Sequence, residues 1–74
     1  SMTKLKFQIS KQGYAVIKVY DIAGKEISLI VNENLNTGVY EIIFNANALA
    51  SGVYFYTLIV DGTVIDTKRM ILLK

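Results

Sequence analysis

An antiparallel immunoglobulin-like β-sandwich of six to seven short strands is the fold class this sequence predicts. Three observations predict it. Apolar residues recur with a two-residue period along most of the chain. Gly, Asn and Asp turns interrupt those runs at intervals of roughly ten residues. No stretch has the length and spacing of a helix: residues 45–50 carry alanines but are too short and too rich in asparagine for more than one turn. A small closed barrel is the alternative architecture. The chain reads as one domain, with no linker and no low-complexity tract.

Each element follows from the residues. Leu5, Phe7 and Ile9 alternate with Lys4, Lys6 and Gln8, a first strand with one wet face. After Gly13, Ala15, Ile17 and Val19 alternate with Tyr14, Val16, Lys18 and Tyr20, and Lys18 marks the outward face of the second strand. Asp21, Ile22, Ala23 and Gly24 make a turn in which Asp bonds its own backbone and Gly takes positive φ. A third strand is expected over residues 26–31, followed by a polar loop over 32–38. The fourth, over 39–45, sets Tyr40, Ile42 and Phe44 on one face against Glu41 and Asn45 on the other. An irregular crossover over 45–51 is anchored by Leu49. Residues 53–60 and 63–73 then form a hairpin around Asp61-Gly62, a pair favoured in two-residue turns. The pieces Val19-Tyr20, Gly38-Val39-Tyr40 and Gly52-Val53-Tyr54 read as strand starts after glycine turns, not as internal repeats.

Composition narrows the function classes. Of 74 residues, 53% are apolar and 19% charged, near the size at which a core alone is marginal, so the chain invests in burial. With no cysteine, neither a disulfide frame nor a thiolate metal site is available, and no redox compartment is identified. The net charge of +2 is too small and too dispersed to predict a nucleic-acid partner. No apolar run approaches the ~18 residues of a membrane span, and no signal peptide opens the chain. Ser1 and Met2 read as an expression-tag remnant (1–2) before the domain proper (3–74).

Catalysis is hard to assemble here. Without histidine or cysteine, the commonest general base, thiol nucleophile and soft metal ligands are missing. The carboxylates are Asp21, Glu26, Glu33, Glu41, Asp61 and Asp66, and none shows the spacing of a calcium loop. Asp21 and Glu26 flank one turn and could hold a hard cation, but a turn cap beside a solvated strand residue is the favoured reading. No enzymatic activity, catalytic residue, cofactor or metal is expected. The five tyrosines divide by face: Tyr54 and Tyr56 share theirs with Leu58 and Val60 and read as core, whereas Tyr14 and Tyr20 share theirs with Lys18 and are the better interface candidates.

The C-terminal run is the anomaly. Met70 and Leu72 fall on one face, Ile71 and Leu73 on the other, a pattern that suits a strand buried on both sides. A domain this small has few such places. At a sheet edge the same strand offers backbone groups and apolar side chains to a partner, with Lys68, Arg69 and Lys74 guarding against aggregation.

Four blocks, in order, carry a resemblance: G-Y-A-V-I-K-V-Y-D-I-A-G-K-E-I from Gly13, L-N-T-G-V-Y-E-I-I-F-N-A from Leu35, L-A-S-G-V-Y-F-Y-T-L from Leu49, and K-R-M-I-L-L-K from Lys68. Together they resemble the type A C-terminal sorting domain of the type IX (Por) secretion system of Bacteroidetes and related phyla, over nearly the whole chain from about Leu5. The Ig-like domain of flagellar hook-capping proteins is similar to a lesser degree. The sorting-domain resemblance implies a delivery signal with no reaction of its own. It implies passage through the periplasm, an outer-membrane translocon and a sortase-like peptidase as partners, a covalently linked N-terminal cargo domain, and a secreted or cell-surface destination. By position, candidate recognition residues are Lys68, Arg69, Met70, Ile71, Leu72, Leu73 and Lys74, while Asp21, Gly24, Gly52 and Tyr54 match family motifs read as structural. The family often opens with an Asn-Pro-containing strand; this chain has no proline and is expected to begin just inside it. A carbohydrate-binding or adhesive module is the competing class, and an edge-strand homodimer is a further candidate.

Overall fold

Six strands, all paired antiparallel, make up the computed structural model, which describes residues 2–73: β1 (Met2–Ile9), β2 (Gly13–Tyr20), β3 (Glu26–Leu35), β4 (Gly38–Asn45), β5 (Gly52–Val60) and β6 (Thr63–Leu72). Ser1 lies outside the described residues, and Met2 opens β1. The strands form two sheets, a pair in the order β1-β4 and a quartet in the order β3-β2-β5-β6. No helix occurs among the described residues. This is the all-β, antiparallel arrangement that the two-residue periodicity predicts, compatible with an immunoglobulin-like sandwich.

The alternation works as expected in the central strands. Leu5, Phe7 and Ile9 of β1 face Ala15, Ile17 and Val19 of β2, all within the buried core. The core has two halves. One gathers Leu5, Val19, Phe44, Ala46, Tyr54, Met70 and Leu72; the other gathers Phe7, Ile9, Ala15, Ile17, Val31 and Leu58. Leu49 of the crossover packs against the first half, as its anchor role requires. Across the small sheet Phe7 lies opposite Tyr40, and their rings stack at 5.2 Å between centroids.

The third strand departs from expectation. The polar stretch expected as loop over 32–38 is strand as far as Leu35. Two register shifts against β2 interrupt its alternation upstream of that stretch. Ile17 pairs with Val31 and Lys18 with Leu29, then Val19 with Ser28 and Tyr20 with Glu26, which leaves Ile30 and Ile27 as the extra residues. Both turn their side chains onto the core. Beyond them Asn32, Glu33 and Asn34 pair with Val16, Ala15 and Tyr14 along an exposed edge, where polar residues are no obstacle to strand pairing.

The two Gly-Val-Tyr pieces adopt one geometry. At both Gly38 and Gly52 φ is 154°, a conformation open essentially to glycine alone. Two residues later Tyr40 donates to the Asn36 carbonyl and Tyr54 to the Ala50 carbonyl, each at 2.7 Å. Each tyrosine hydroxyl thus ties the start of its strand to the loop four residues upstream.

The β5–β6 turn is tied to β2. Asp61 and Gly62 both have positive φ, 49° and 81°, as a two-residue hairpin turn of type I′ demands. The Asp61 amide donates to the Tyr14 carbonyl at 3.0 Å, and the Tyr14 amide donates to Asp61 Oδ1 at 2.8 Å. The neighbouring Gly13 has no room for a side chain: a Cβ there would stand 2.5 Å from Asp61 Oδ2 and 2.8 Å from Val60 Cγ1. Gly13→Ala should therefore displace the Asp61 carboxylate and lose its bond to Tyr14. The expected cost is ~1–3 kcal/mol, a fall in melting temperature of several degrees read by circular dichroism. An unchanged melting temperature would contradict the tight approach.

Candidate docking surface on the C-terminal strand

β6 is an edge strand: among the described residues it pairs with β5 alone. Its last residues are divided between the core and solvent. Met70 and Leu72 are 5% and 2% exposed, whereas Ile71 and Leu73 are 56% and 83% exposed. The sequence pattern is compatible with burial on both sides or with an exposed edge; the structure gives the edge, with only the inner side covered. Lys68 lies opposite Tyr56 and Arg69 opposite Phe55, both exposed. Lys74 falls outside the described residues. Thus Lys68, Arg69, Ile71 and Leu73 present themselves to solvent, while Met70 and Leu72 are committed to the core.

The outward face of the larger sheet extends this surface. Tyr20, Phe55 and Arg69 form one cross-strand row, and Val53 pairs with Ile71 in the next. The row of Lys18, Thr57 and Thr67 carries a hydroxyl contact of 3.0 Å between the two threonines. Lys18 also meets Glu26 at 3.3 Å. An apolar band with cationic flanks therefore runs from Tyr20 to the free edge at Ile71. Sequence reasoning singled out Tyr20 and the terminal residues but not Val53 or Phe55. Their signal was available in the outward positions of a strand whose inward ones were already assigned.

The motif residues Asp21, Gly24, Gly52 and Tyr54 sit in a turn and at a strand start. Asp21 Oδ1 accepts from the amides of Ala23 and Lys25, each at 2.9 Å, while Gly24 has φ 87° and donates to the Asp21 carbonyl at 3.0 Å. That carboxylate is engaged in capping its own turn. No grouping of three His, Cys, Asp or Glu side chains suited to a metal occurs among the described residues. Gly52 and Tyr54 form the strand-start tie described above. Among the described residues Tyr14 is the one strongly exposed aromatic, 42%, and its hydroxyl donates to Asn32 Oδ1 at 2.8 Å.

A family model described as "Secretion system C-terminal sorting domain" matches residues 2–73. No curated protein and no solved structure matches the chain.

Tyr56 sits on the inner face beside the exposed half of β6. Burial, and secondarily the Asp66 carboxylate, raise its phenol above the ordinary value of 10.0. The folded state therefore favours the neutral phenol. That contribution to stability is complete below pH 10.0 and is lost as pH rises through the raised value. Ultraviolet titration of tyrosinate should show a transition above the ordinary phenol range that Tyr56→Phe removes and Asp66→Asn brings down. An alkaline profile unchanged by Tyr56→Phe would contradict this placement.

Proposed function

The chain belongs to the family of secretion-system C-terminal sorting domains, and on that premise we propose that β6 is the element through which the outer-membrane translocon takes hold of it. A domain of this family is a C-terminal sorting signal for type IX secretion, attached to a cargo and exported with it to the outside or the cell surface. The proposal concerns how the signal is read. Lys68, Arg69, Ile71, Leu73 and Lys74 supply the contacts, and Met70 and Leu72 hold the strand in place from beneath. The observation that carries the reading is the free edge of β6, with Ile71 and Leu73 turned outward.

An edge strand of this kind is recognised by strand addition. A partner strand takes the free backbone groups, the outward apolar side chains set the register, and the basic flank orients the approach. The domain reaches the translocon in the periplasm as a folded module, a sortase-like peptidase acts on the assembled cargo, and the domain performs no reaction itself. A carbohydrate-stacking role finds less support, because a single exposed tyrosine, already bonded to Asn32, makes no platform.

Deleting residues 70–74 is a poor test, since it removes Met70 and Leu72 from the core and unfolds what it means to mute. The sharper variant is the outward pair, Ile71→Thr with Leu73→Ser. Both positions are exposed, so the melting temperature should stay within a few degrees of the parent's. Fused to a reporter cargo in a type IX-competent cell, the variant should accumulate in the periplasm. Normal delivery of the folded variant to the surface would overturn the proposal.

A further inference from the structure

The smaller sheet is one strand too narrow for the larger one. Among the described residues β1 is hydrogen-bonded on the β4 side only, and its other edge faces the inner side of β5 and β6 across open space. Two clefts of about 260 and 330 Å³ run along that edge and share Gln8, Ser10 and Ile65. Their apolar surface comes from Phe7, Ile9, Tyr56, Leu58, Val60 and Ile65. Their far wall is the first half of β6, every residue of which from Thr63 to Arg69 is exposed. The register shift at Leu58 and Ile59 leaves Ile65 as the bulged residue of β6, 56% exposed and lining both clefts.

Charge defines what fits. Lys4 and Lys6 share one carboxylate, Glu41, at 3.8 and 4.0 Å, so the outward row of β1 keeps an excess of positive charge. Lys11 and Lys68 add two more cations to the clefts. Against them stand Asp66, and Asp61, which is already bonded to the Tyr14 amide. A second copy is a poor occupant: β1 against β1 sets lysine beside lysine, and β6 brings its own Lys68 and Arg69. On the β3 edge Glu26 is already paired with Lys18, which leaves Glu33 as its one acidic residue without an ion pair among the described residues. We infer that this groove accepts an extended segment of another protein, alternating apolar and acidic residues, by strand addition to β1. Its apolar side chains cover Tyr56, Leu58 and Ile65, and its acidic ones lie beside Lys4 and Lys6. The site lies on the opposite face from Ile71 and Leu73 and does not depend on their role; Lys68, which lines the cleft opposite Tyr56, is the one residue it shares with the β6 contacts proposed above.

The test titrates the isotope-labelled domain with an eight-residue peptide, the length of β1, alternating valine and glutamate, and with its lysine counterpart. Amide shifts should map to β1 and to residues 65–68, with the glutamate peptide bound about tenfold more tightly. The double variant Lys4→Glu, Lys6→Glu should reverse that order. Ile65→Glu should abolish binding of the glutamate peptide with the melting temperature retained, since Ile65 is exposed. Equal affinity for the two peptides, binding of neither, shifts confined to β3 or the outer edge of β6, or self-association of the domain that competes with the peptide would each overturn the inference.

Discussion

The last strand closes the core that the first one opens. Met70 and Leu72 share a cluster with Leu5, Val19 and Tyr54, so the two ends of the chain meet in the same packed half of the sandwich. Burying each such side chain contributes about 1.5–3 kcal/mol, against a total of order 5–10 kcal/mol for a domain of this size. The outward residues of β6 depend on that seal. Ile71 and Leu73 have a fixed position and a shared face only while Met70 and Leu72 are held inside. Presentation of the terminal surface and folding of the domain are therefore one event.

The imbalance between the sheets follows from the same economy of chain. Two strands cover four, and the uncovered remainder lies over the first half of β6. Four strand edges are open among the described residues: β1 and β4 of the smaller sheet, β3 and β6 of the larger. Isolated edges of this kind invite self-pairing, and charged residues are the usual deterrent. Here β1 carries Lys4 and Lys6, β6 carries Lys68 and Arg69, and β3 carries Glu26 and Glu33. Each of these edges repels its own like and suits a strand of opposite charge. That distribution argues against a symmetric homodimer built by pairing one edge with the same edge of a second copy.

Much of this was legible in the residues. The alternation in β1, β2 and β4 assigned their inward faces, and the Asp61-Gly62 pair placed the final hairpin. The third strand is read short from sequence because Asn32, Glu33 and Asn34 are polar on both faces, a pattern that an exposed edge strand tolerates and that sequence alone reads as loop. Gly38-Val39-Tyr40 and Gly52-Val53-Tyr54 read as no more than strand starts. The structure shows the same tyrosine-to-carbonyl tie at both, a bond to a backbone atom that leaves no trace in side-chain pattern. The crowding at Gly13 likewise depends on Asp61, 48 positions away in sequence, and no local signal reports it.

The sequence by itself determined the all-β class and bounded the strand count at six to seven, and its motif order carried the family resemblance, because periodicity, turn chemistry and motif order are local properties. It also identified the last strand as apolar on both faces. Only the tertiary structure decided what that meant. With β6 at the edge of the larger sheet and the smaller sheet covering its inner side alone, Met70 and Leu72 became core while Ile71 and Leu73 became surface. Strand order and sheet overlap are set by contacts between residues distant in the chain, and those contacts, not the alternation, decide which apolar face meets water.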